Sequence, residues 1–152
     1  TNLGKVQITG VDVNMETAYS FSKNIKIRAG GAYTYQQALD VTNVNGDSYL
    51  HQIPYTPRVS GSENINMETS WINLAYTIIW SGARYAGYQN YAELRLNGYS
   101  DQSISVYRNF QLKKSDLNVK AEILNLSNTN YEIVRYYPMP GRSWRISLTY
   151  KF

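Results

Sequence analysis

The amino-acid sequence predicts an all-β fold, an antiparallel meander of about seven strands. Three observations lead to this prediction. Apolar and polar residues alternate with a period of two over most of the chain, whereas no segment shows the period of an amphipathic helix. Tyrosine, which favours strands, occurs 15 times in 152 residues. Short polar turns also alternate with long polar segments, as in a series of hairpins.

The first three predicted strands each have one apolar and one polar face. They cover residues 11–21, 25–36 and 59–67, and the odd-numbered residues form the apolar face of each, with Glu63 as an exception. Val6 and Ile8 are out of phase with the first strand. We therefore expect a β-bulge near Gly10 that restores the register.

The remaining predicted strands cover residues 72–85, 103–112, 117–125 and 143–152. Residues 72–85 place Leu74, Tyr76 and Ile78 on one face, and residues 103–112 alternate with Arg108 as an exception. The last strand has the cleanest alternation, because every even-numbered residue from 144 to 152 is apolar. Each pattern predicts a strand that is apolar on one side only.

The predicted connections alternate in length. Residues 22–24, 69–71 and 113–116 form short turns, whereas residues 37–57, 86–102 and 126–142 form long loops. Short turns at one rim and long loops at the other are typical of outer-membrane barrels. The spacings of Trp71 and Trp80, and of Trp144 and Phe152, fit the two aromatic girdles of such barrels.

Composition excludes several other classes of protein. The chain has no cysteine and a single histidine, His51, which argues against disulfide scaffolds, thiolate metal sites and multi-histidine zinc sites. Its net charge of +4 is scattered, so we expect no nucleic-acid binding. Asp12 and Glu16 lie roughly 13 Å apart on one strand face, too far for a glycosidase carboxylate pair. We expect no enzyme activity, no metal site and no cofactor.

The C-terminal third carries a more specific pattern. Residues 121–128 read Ala-Glu-Ile-Leu-Asn-Leu-Ser-Asn, a tyrosine and a Pro-Gly-Arg turn follow, and the chain ends with an aromatic residue. This arrangement resembles the end of TonB-dependent outer-membrane receptors, and segments 4–12 and 53–58 resemble upstream parts of the same barrels. The matching motif residues are Asn125, Leu126, Asn128, Tyr131, Pro140, Gly141 and Arg142. The last strand resembles the signal read by the barrel-assembly machinery, at Trp144, Ile146, Leu148, Tyr150 and Phe152.

The resemblance implies that residues 1–152 are the C-terminal portion of a transmembrane barrel of about 22 strands, without the plug domain and the earlier strands. Residues 1–10 show no secretory signal, so we expect a mature chain or an excised piece. The implied location is the outer membrane of a Gram-negative bacterium. The implied partners are outer-membrane lipid, the barrel-assembly machinery, a small-molecule ligand, and TonB and the plug domain through the missing N-terminal part.

The implied function is active transport of a bulky, scarce nutrient, with cobalamin or an iron-siderophore favoured. Ligand contacts would come from the long loops, which are rich in tyrosine, a residue with a large and stiff contact surface. His51 is a further loop candidate, although a lone loop histidine is more often polar surface than a metal ligand. The candidate ligand-binding residues are Tyr49, His51, Tyr55, Tyr88, Tyr91, Tyr136 and Tyr137.

Two other architectures remain open from the sequence. A small closed outer-membrane barrel of eight strands fits the chain length, and it requires an additional strand within residues 88–96. A soluble carbohydrate-binding β-sandwich requires a second sheet packed against the apolar faces.

Overall fold

The computed structural model describes residues 4–152 as one seven-stranded antiparallel sheet with two small hairpins in its loops. The order of the strands in the sheet is β1-β2-β3-β4-β7-β8-β11. This confirms the predicted all-β meander. The strands are β1 (Val6–Ser22), β2 (Ile25–Asp40), β3 (Val59–Thr69), β4 (Asn73–Ser81), β5 (Arg84–Tyr85), β6 (Arg95–Leu96), β7 (Tyr99–Leu112), β8 (Ser115–Leu124), β9 (Glu132–Val134), β10 (Tyr137–Pro138) and β11 (Ser143–Lys151).

Three long loops lie at one end of the sheet and three short turns at the other. We name them loop 1 (residues 41–58), loop 2 (residues 82–98, with β5 and β6) and loop 3 (residues 125–142, with β9 and β10). The turns at residues 23–24, 70–72 and 113–114 lie at the opposite end. The predicted sorting of the connections by length is therefore confirmed. Within residues 4–152, no helix is long and apolar enough to cross a lipid bilayer.

The apolar face of the sheet is continuous from edge to edge. One row of paired residues crosses all seven strands, and most of the large apolar residues on this face are exposed, including Tyr19 at 63% and Ile146 at 77%. Among the described residues, only Ala38 and Leu96 are buried apolar residues, and no second sheet packs on this face. The sandwich architecture is therefore not supported. The row consists of Tyr19, Ile27, Met67, Leu74, Val106, Ala121 and Ile146.

The opposite face is polar and carries the ion pairs. Glu122 of β8 is 8% exposed and accepts from Lys120 Nζ at 2.7 Å and from Arg145 Nε at 2.6 Å. Arg28 of β2 pairs with Glu68 of β3 at 2.8 Å. Because successive residues of a strand point to opposite faces, the period of two in the sequence produces both surfaces.

The predicted bulge near Gly10 is wrong. Pairing of β1 with β2 runs without interruption from Val6 opposite Asp40 to Ser20 opposite Lys26, and the register shifts only between Ser20 and Ser22. Val6 and Ile8 consequently lie on the polar face. The last residue of β2 that pairs with β3 is Tyr35, so the end of the β1–β2 hairpin extends about five residues, or roughly 16 Å, beyond the rest of the sheet. Beyond the sheet, neither face of the hairpin has to be apolar.

The strand bounds also differ from the prediction at the loop end. β2 continues to Asp40, β7 begins at Tyr99, and β4 stops at Ser81, so that Arg84–Tyr85 forms the separate strand β5. Near the loops both faces contact polar groups, and alternation no longer marks the strand. The segment 88–96 contains a 3₁₀ turn at Ala92–Leu94 and the short β6. It therefore does not supply the additional sheet strand that the eight-stranded barrel requires.

Candidate functional site

A cavity of about 510 Å³ lies on the polar face, where the sheet meets the loops. All three loops contribute to its lining, through Tyr55 of loop 1, Arg84 of loop 2 and Ile133 of loop 3. Strands β2, β3 and β4 contribute mostly small residues, which leave room beneath the loops. The strand residues on the polar side of this lining are Ala32, Thr34, Ser60, Ser62, Ile79 and Ser81.

Arg84 is the single charged residue that lines this cavity. It is 4% exposed, and its Nη2 donates to the backbone oxygens of Glu132 at 2.6 Å and Ile133 at 3.0 Å. Its guanidinium carbon lies 5.4 Å from the ring centre of Tyr99, a distance suited to a cation–π interaction. Its Nη1 is buried and has no hydrogen-bond acceptor within residues 4–152.

Two tyrosines connect the cavity with loop 3. The ring of Tyr99 stacks on Tyr131, with centroids 4.2 Å apart and planes at 13°. The Tyr131 hydroxyl donates to Asp101 Oδ2 at 2.6 Å. Burial, followed by this hydrogen bond, raises the pKa of the Tyr131 phenol above its ordinary value. The phenol therefore remains a hydrogen-bond donor at neutral pH.

The three loops are joined by hydrogen bonds. Tyr55 N of loop 1 donates to Tyr85 O of loop 2 at 2.7 Å. The side-chain amide of Asn90, in the orientation that satisfies its hydrogen bonds, donates to Gln52 O at 3.1 Å and accepts from Gln52 N at 3.0 Å. Loop 2 is in turn bonded to loop 3 through Arg84. The three loops therefore form one hydrogen-bonded cluster.

Loop 1 is also bound to the end of β2. Ile53 N donates to Ala38 O at 2.8 Å, and Gln52 Oε1 accepts from Ala38 N at 3.2 Å. The carboxylate of Asp40 accepts from Thr42 N at 2.9 Å and from Ser48 Oγ at 2.7 Å. Hydrogen bonds from Thr42 and then Ser48 lower the pKa of this carboxyl group. Loop 1 is consequently held to the end of β2 by both backbone and side-chain hydrogen bonds.

The structure places one predicted ligand residue in the cavity. Tyr55 lines it, whereas the other six candidates do not. His51 Nδ1 is buried and has no hydrogen-bond partner among the described residues, and within the same residues no group of three or more His, Asp and Glu side chains forms a metal site. The remaining candidates lie elsewhere on the loops, namely Tyr49, Tyr88, Tyr91, Tyr136 and Tyr137.

Sequence reasoning missed Arg84. A signal for Arg84 is present, because it is the only charged residue between Glu68 and Glu93. An isolated cation at the end of an apolar strand, next to a long loop, is a candidate ligand contact. Tyr99 belongs to the predicted tyrosine-rich loop 86–102, but its stacking on Tyr131 arises from the tertiary structure and has no signal in the sequence.

The predicted motif residues meet at the base of loop 3. Asn125 is 2% exposed, its Nδ2 donates to Thr129 O at 2.9 Å and Pro140 O at 3.0 Å, and its Oδ1 accepts from Thr129 N at 2.8 Å. Asn128 Oδ1 accepts from Arg142 N at 2.9 Å. A Cβ at position 141 would lie 2.9 Å from this same oxygen, so a larger residue there would displace the Asn128 side chain.

The arginine of the motif completes the base of loop 3, because its Nε donates to Leu126 O at 3.0 Å. In the described residues the motif therefore closes a loop, and it does not line the cavity. The predicted assembly-signal residues Trp144, Ile146, Leu148 and Tyr150 lie on the exposed apolar face of β11, and Phe152 follows that strand.

The site is suited to noncovalent binding of a bulky ligand. It combines aromatic surface, hydroxyl groups and one cation in a concave space, which is the usual composition of a small-molecule site. A model of the family described as TonB dependent receptor-like, β-barrel, matches residues 1–126. A comparison with curated protein sequences finds no match.

Three solved structures share the fold. The unliganded ferric citrate transporter FecA aligns with a TM-score of 0.74 at 18% identity, over 97% of this chain and 24% of that chain. BauA, the ferric preacinetobactin receptor of Acinetobacter baumannii, aligns at 0.70 and 14% identity, over 97% of this chain and 27% of that one. FyuA, the ferric yersiniabactin uptake receptor of Yersinia pestis, aligns at 0.59 and 18% identity, over 96% and 22%. The chain thus spans about a quarter of the length of these proteins.

Proposed function

Since this chain belongs to the TonB-dependent receptor-like β-barrel family, we propose that it forms part of the barrel of an active-transport receptor in the outer membrane of a Gram-negative bacterium. It contributes seven barrel strands and three extracellular loops. The plug domain, the TonB-contacting segment and the other strands belong to the rest of the receptor. Residues 1–3 of this domain assignment lie outside the described residues.

Several features of the sheet support this proposal. Large residues of the apolar face are exposed on β1, β2, β3, β7 and β11, as expected of a surface that contacts lipid. The face that would line the lumen carries the ion pairs of Glu122 and of Arg28. Strands β1 and β11 each have one unpaired edge, and a bilayer offers no partner for such backbone groups. The remaining strands of a barrel would satisfy both edges.

The proposed substrate is a ferric chelate of the siderophore or citrate type. The three solved structures described above are named for ferric preacinetobactin, ferric citrate and ferric yersiniabactin. The observation that carries the assignment in this chain is the cavity beneath the loops, to which all three loops contribute. The resemblance in the sequence also implied cobalamin, which the experiment below separates from iron uptake.

Uptake in an iron-starved Gram-negative host that lacks its own receptors tests the function. The full-length protein that contains this chain should support TonB-dependent accumulation of radio-iron from at least one ferric chelate, and should not accumulate labelled cobalamin. Accumulation of cobalamin alone would show that cobalamin, and not a ferric chelate, is the substrate. The proposed transport function would then still hold. Absence of accumulation from every chelate and from cobalamin would overturn the proposal.

A matched pair of tyrosine variants tests the location of the site. Tyr55 lines the cavity, whereas Tyr137 is 71% exposed and does not. Tyr55 is 41% exposed, and Tyr55→Ala should weaken binding of the transported chelate roughly tenfold, because an aromatic contact with the ligand is lost. Tyr137→Ala should leave binding unchanged. Equal effects of the two substitutions would show that the ligand does not occupy this cavity.

A further inference from the structure

We propose that Arg84 is the anion-binding residue of the cavity, and that the transported ligand carries a carboxylate or a comparable anionic oxygen group that this guanidinium binds. The inference rests on the proposed function and makes it more specific. Among ferric chelates it selects those with free negative charge, and it disfavours neutral and cationic ones.

The first argument is the incomplete hydrogen bonding of Arg84. A guanidinium has five N–H donors and cannot be deprotonated in a protein. In Arg84, Nη2 has two backbone acceptors in loop 3, whereas the buried Nη1 has none among the described residues. An unpaired buried charged donor is costly, and an acceptor supplied by a ligand removes that cost.

The second argument is the charge of the cavity. No aspartate or glutamate lines it, and none of the three ion pairs within residues 4–152 involves Arg84. Outside the lining, Asp101 Oδ2 accepts from the Tyr131 hydroxyl and Asp12 accepts from the Thr34 hydroxyl at 2.6 Å. Asp101 Oδ1 is buried without a hydrogen-bond partner among the described residues. The positive charge of Arg84 is therefore not neutralised by a carboxylate of the lining.

The third argument concerns the surroundings of the guanidinium. Two serine hydroxyls of β3 line the same cavity, at Ser60 and Ser62, and each is a potential donor to an anionic oxygen. The planar guanidinium binds carboxylates with high geometric specificity, which an ammonium group does not reproduce. The cavity thus offers an anion one charged donor and two neutral ones.

Arg84 also connects the ligand with loop 3. The same guanidinium that would bind the anion donates through Nη2 to the backbone oxygens of Glu132 and Ile133 in β9. An anion on Nη1 fixes the orientation of the guanidinium and thereby the position of β9. Of loop 3, only Ile133 lines the cavity. Ligand binding should nevertheless slow hydrogen exchange in residues 132–138, because Arg84 is bonded to β9.

The test uses the purified full-length receptor and three probes of different charge. Ferric dicitrate carries free carboxylates, ferrioxamine B carries an ammonium group, and cyanocobalamin carries no net charge. The wild-type protein should bind ferric dicitrate most tightly. Arg84→Gln should weaken that binding at least tenfold, because a charge-assisted hydrogen bond is lost. Arg95→Gln is the matched control, since Arg95 is exposed on β6, pairs with β5 and does not line the cavity.

The results separate this inference from the proposed function. Tightest binding of ferrioxamine B, or equal weakening by Arg84→Gln and Arg95→Gln, would overturn the role of Arg84 and leave iron transport standing. Tightest binding of cyanocobalamin would overturn both the anionic ligand and the iron substrate. If none of the three probes binds, the uptake experiment decides between the proposals. Uptake of a neutral or cationic ferric chelate would overturn the anion-binding site alone, and absence of any uptake would overturn both.

A second pair of variants keeps Arg84 and its loop contacts intact, in case Arg84→Gln does not fold. Ile79 lies on the lining of the same cavity and is 52% exposed. Ile79→Glu places a carboxylate in the cavity and should weaken ferric dicitrate binding roughly tenfold by charge repulsion. Ile79→Gln, which has nearly the same shape, should have little effect. Equal binding by these two variants would contradict the proposal.

Discussion

The seven-stranded sheet and the loop cluster of this molecule are built in different ways. Within residues 4–152, six non-glycine residues have positive φ angles between 48° and 69°, and all lie in loops 1, 2 and 3, at Leu50, Tyr55, Asn90, Asn125, Asn128 and Tyr136. Four buried side-chain atoms of the described residues have no hydrogen-bond partner, and they also lie at this end, in His51, Gln52, Arg84 and Asp101. The sheet has a regular ladder with one register shift.

We infer from this difference that the sheet is a structural support and that the loop cluster contains the candidate binding site. The sheet satisfies its backbone groups by pairing, and its side chains need only sort into an apolar and a polar face. The loop cluster accumulates backbone strain and unpaired polar atoms, features that concentrate at functional sites. Substitutions should therefore act through packing in the sheet and through hydrogen bonds in the loop cluster.

The largest expected effect is at the base of loop 3. Asn125→Ala removes three hydrogen bonds and leaves an alanine at a φ of 48°. The free energy of opening loop 3 should fall by about 3–4 kcal/mol, from roughly 1 kcal/mol for each bond and a similar penalty for the left-handed backbone. Hydrogen exchange at the amides of Leu126 and Thr129 measures this opening.

The neighbouring Asn130 provides the control for this substitution. It is exposed and makes no side-chain hydrogen bond within the described residues. Asn130→Ala should leave the exchange rates of loop 3 nearly unchanged. If Asn125→Ala behaved in the same way, hydrogen bonds would not hold the loop cluster together, and the contrast with the sheet would be wrong.

A substitution in the sheet, at Gly61, should have an intermediate effect on the free energy of unfolding. A Cβ at Gly61 would lie 2.5 Å from Cζ2 of Trp80 and 2.7 Å from the backbone oxygen of Ala32. Gly61→Ala should lower the free energy of unfolding by about 1–3 kcal/mol, because Trp80 must move away from Glu63, which accepts from its indole at 2.9 Å. Urea unfolding of the full-length protein in detergent measures the change.

Gly31 is the matched control in the adjacent strand and on the same face. A Cβ there would meet its nearest heavy atom at 3.5 Å, an ordinary contact. Gly31→Ala should be neutral or stabilise the protein by up to about 1 kcal/mol, because it restricts the unfolded chain. A larger loss of stability from Gly31→Ala than from Gly61→Ala would mean that packing against Trp80 does not limit this region.

The smallest expected effect is a loss of loop 3 stability at alkaline pH. The pKa of Tyr131 is raised in the folded protein by burial and by the hydrogen bond to Asp101. The stability that its protonated form contributes is therefore fully present below the unfolded pKa of about 10, and it is lost as the pH rises towards the folded pKa. Proteolysis of loop 3 should accelerate above about pH 10, and Tyr131→Phe should reduce this dependence. An unchanged pH dependence in Tyr131→Phe would exclude Tyr131 as the titrating group.

The faces of the sheet were predictable from the sequence, and the cavity was not. The period of two assigns Tyr19, Ile27 and Met67 to one surface, because adjacent residues of any strand point in opposite directions. The expected bulge at Gly10 failed because the β1–β2 hairpin extends beyond β3, where alternation has no partner surface to satisfy. Arg84 was missed because its significance depends on Tyr99 and on β9, which are distant in sequence.

The overhang of the β1–β2 hairpin has a consequence for the speed of capture. The loop end of this hairpin extends about 16 Å beyond the rest of the sheet, and loop 1 is hydrogen-bonded to it. This extension lies next to the cavity. A large, rigid solute diffusing from the medium reaches the cavity more directly from the side of loops 2 and 3. Shortening the hairpin should therefore widen the range of productive collision angles. It should increase the association rate constant and, because Ala38 and Asp40 hold loop 1 with Tyr55 in place, the dissociation rate constant as well.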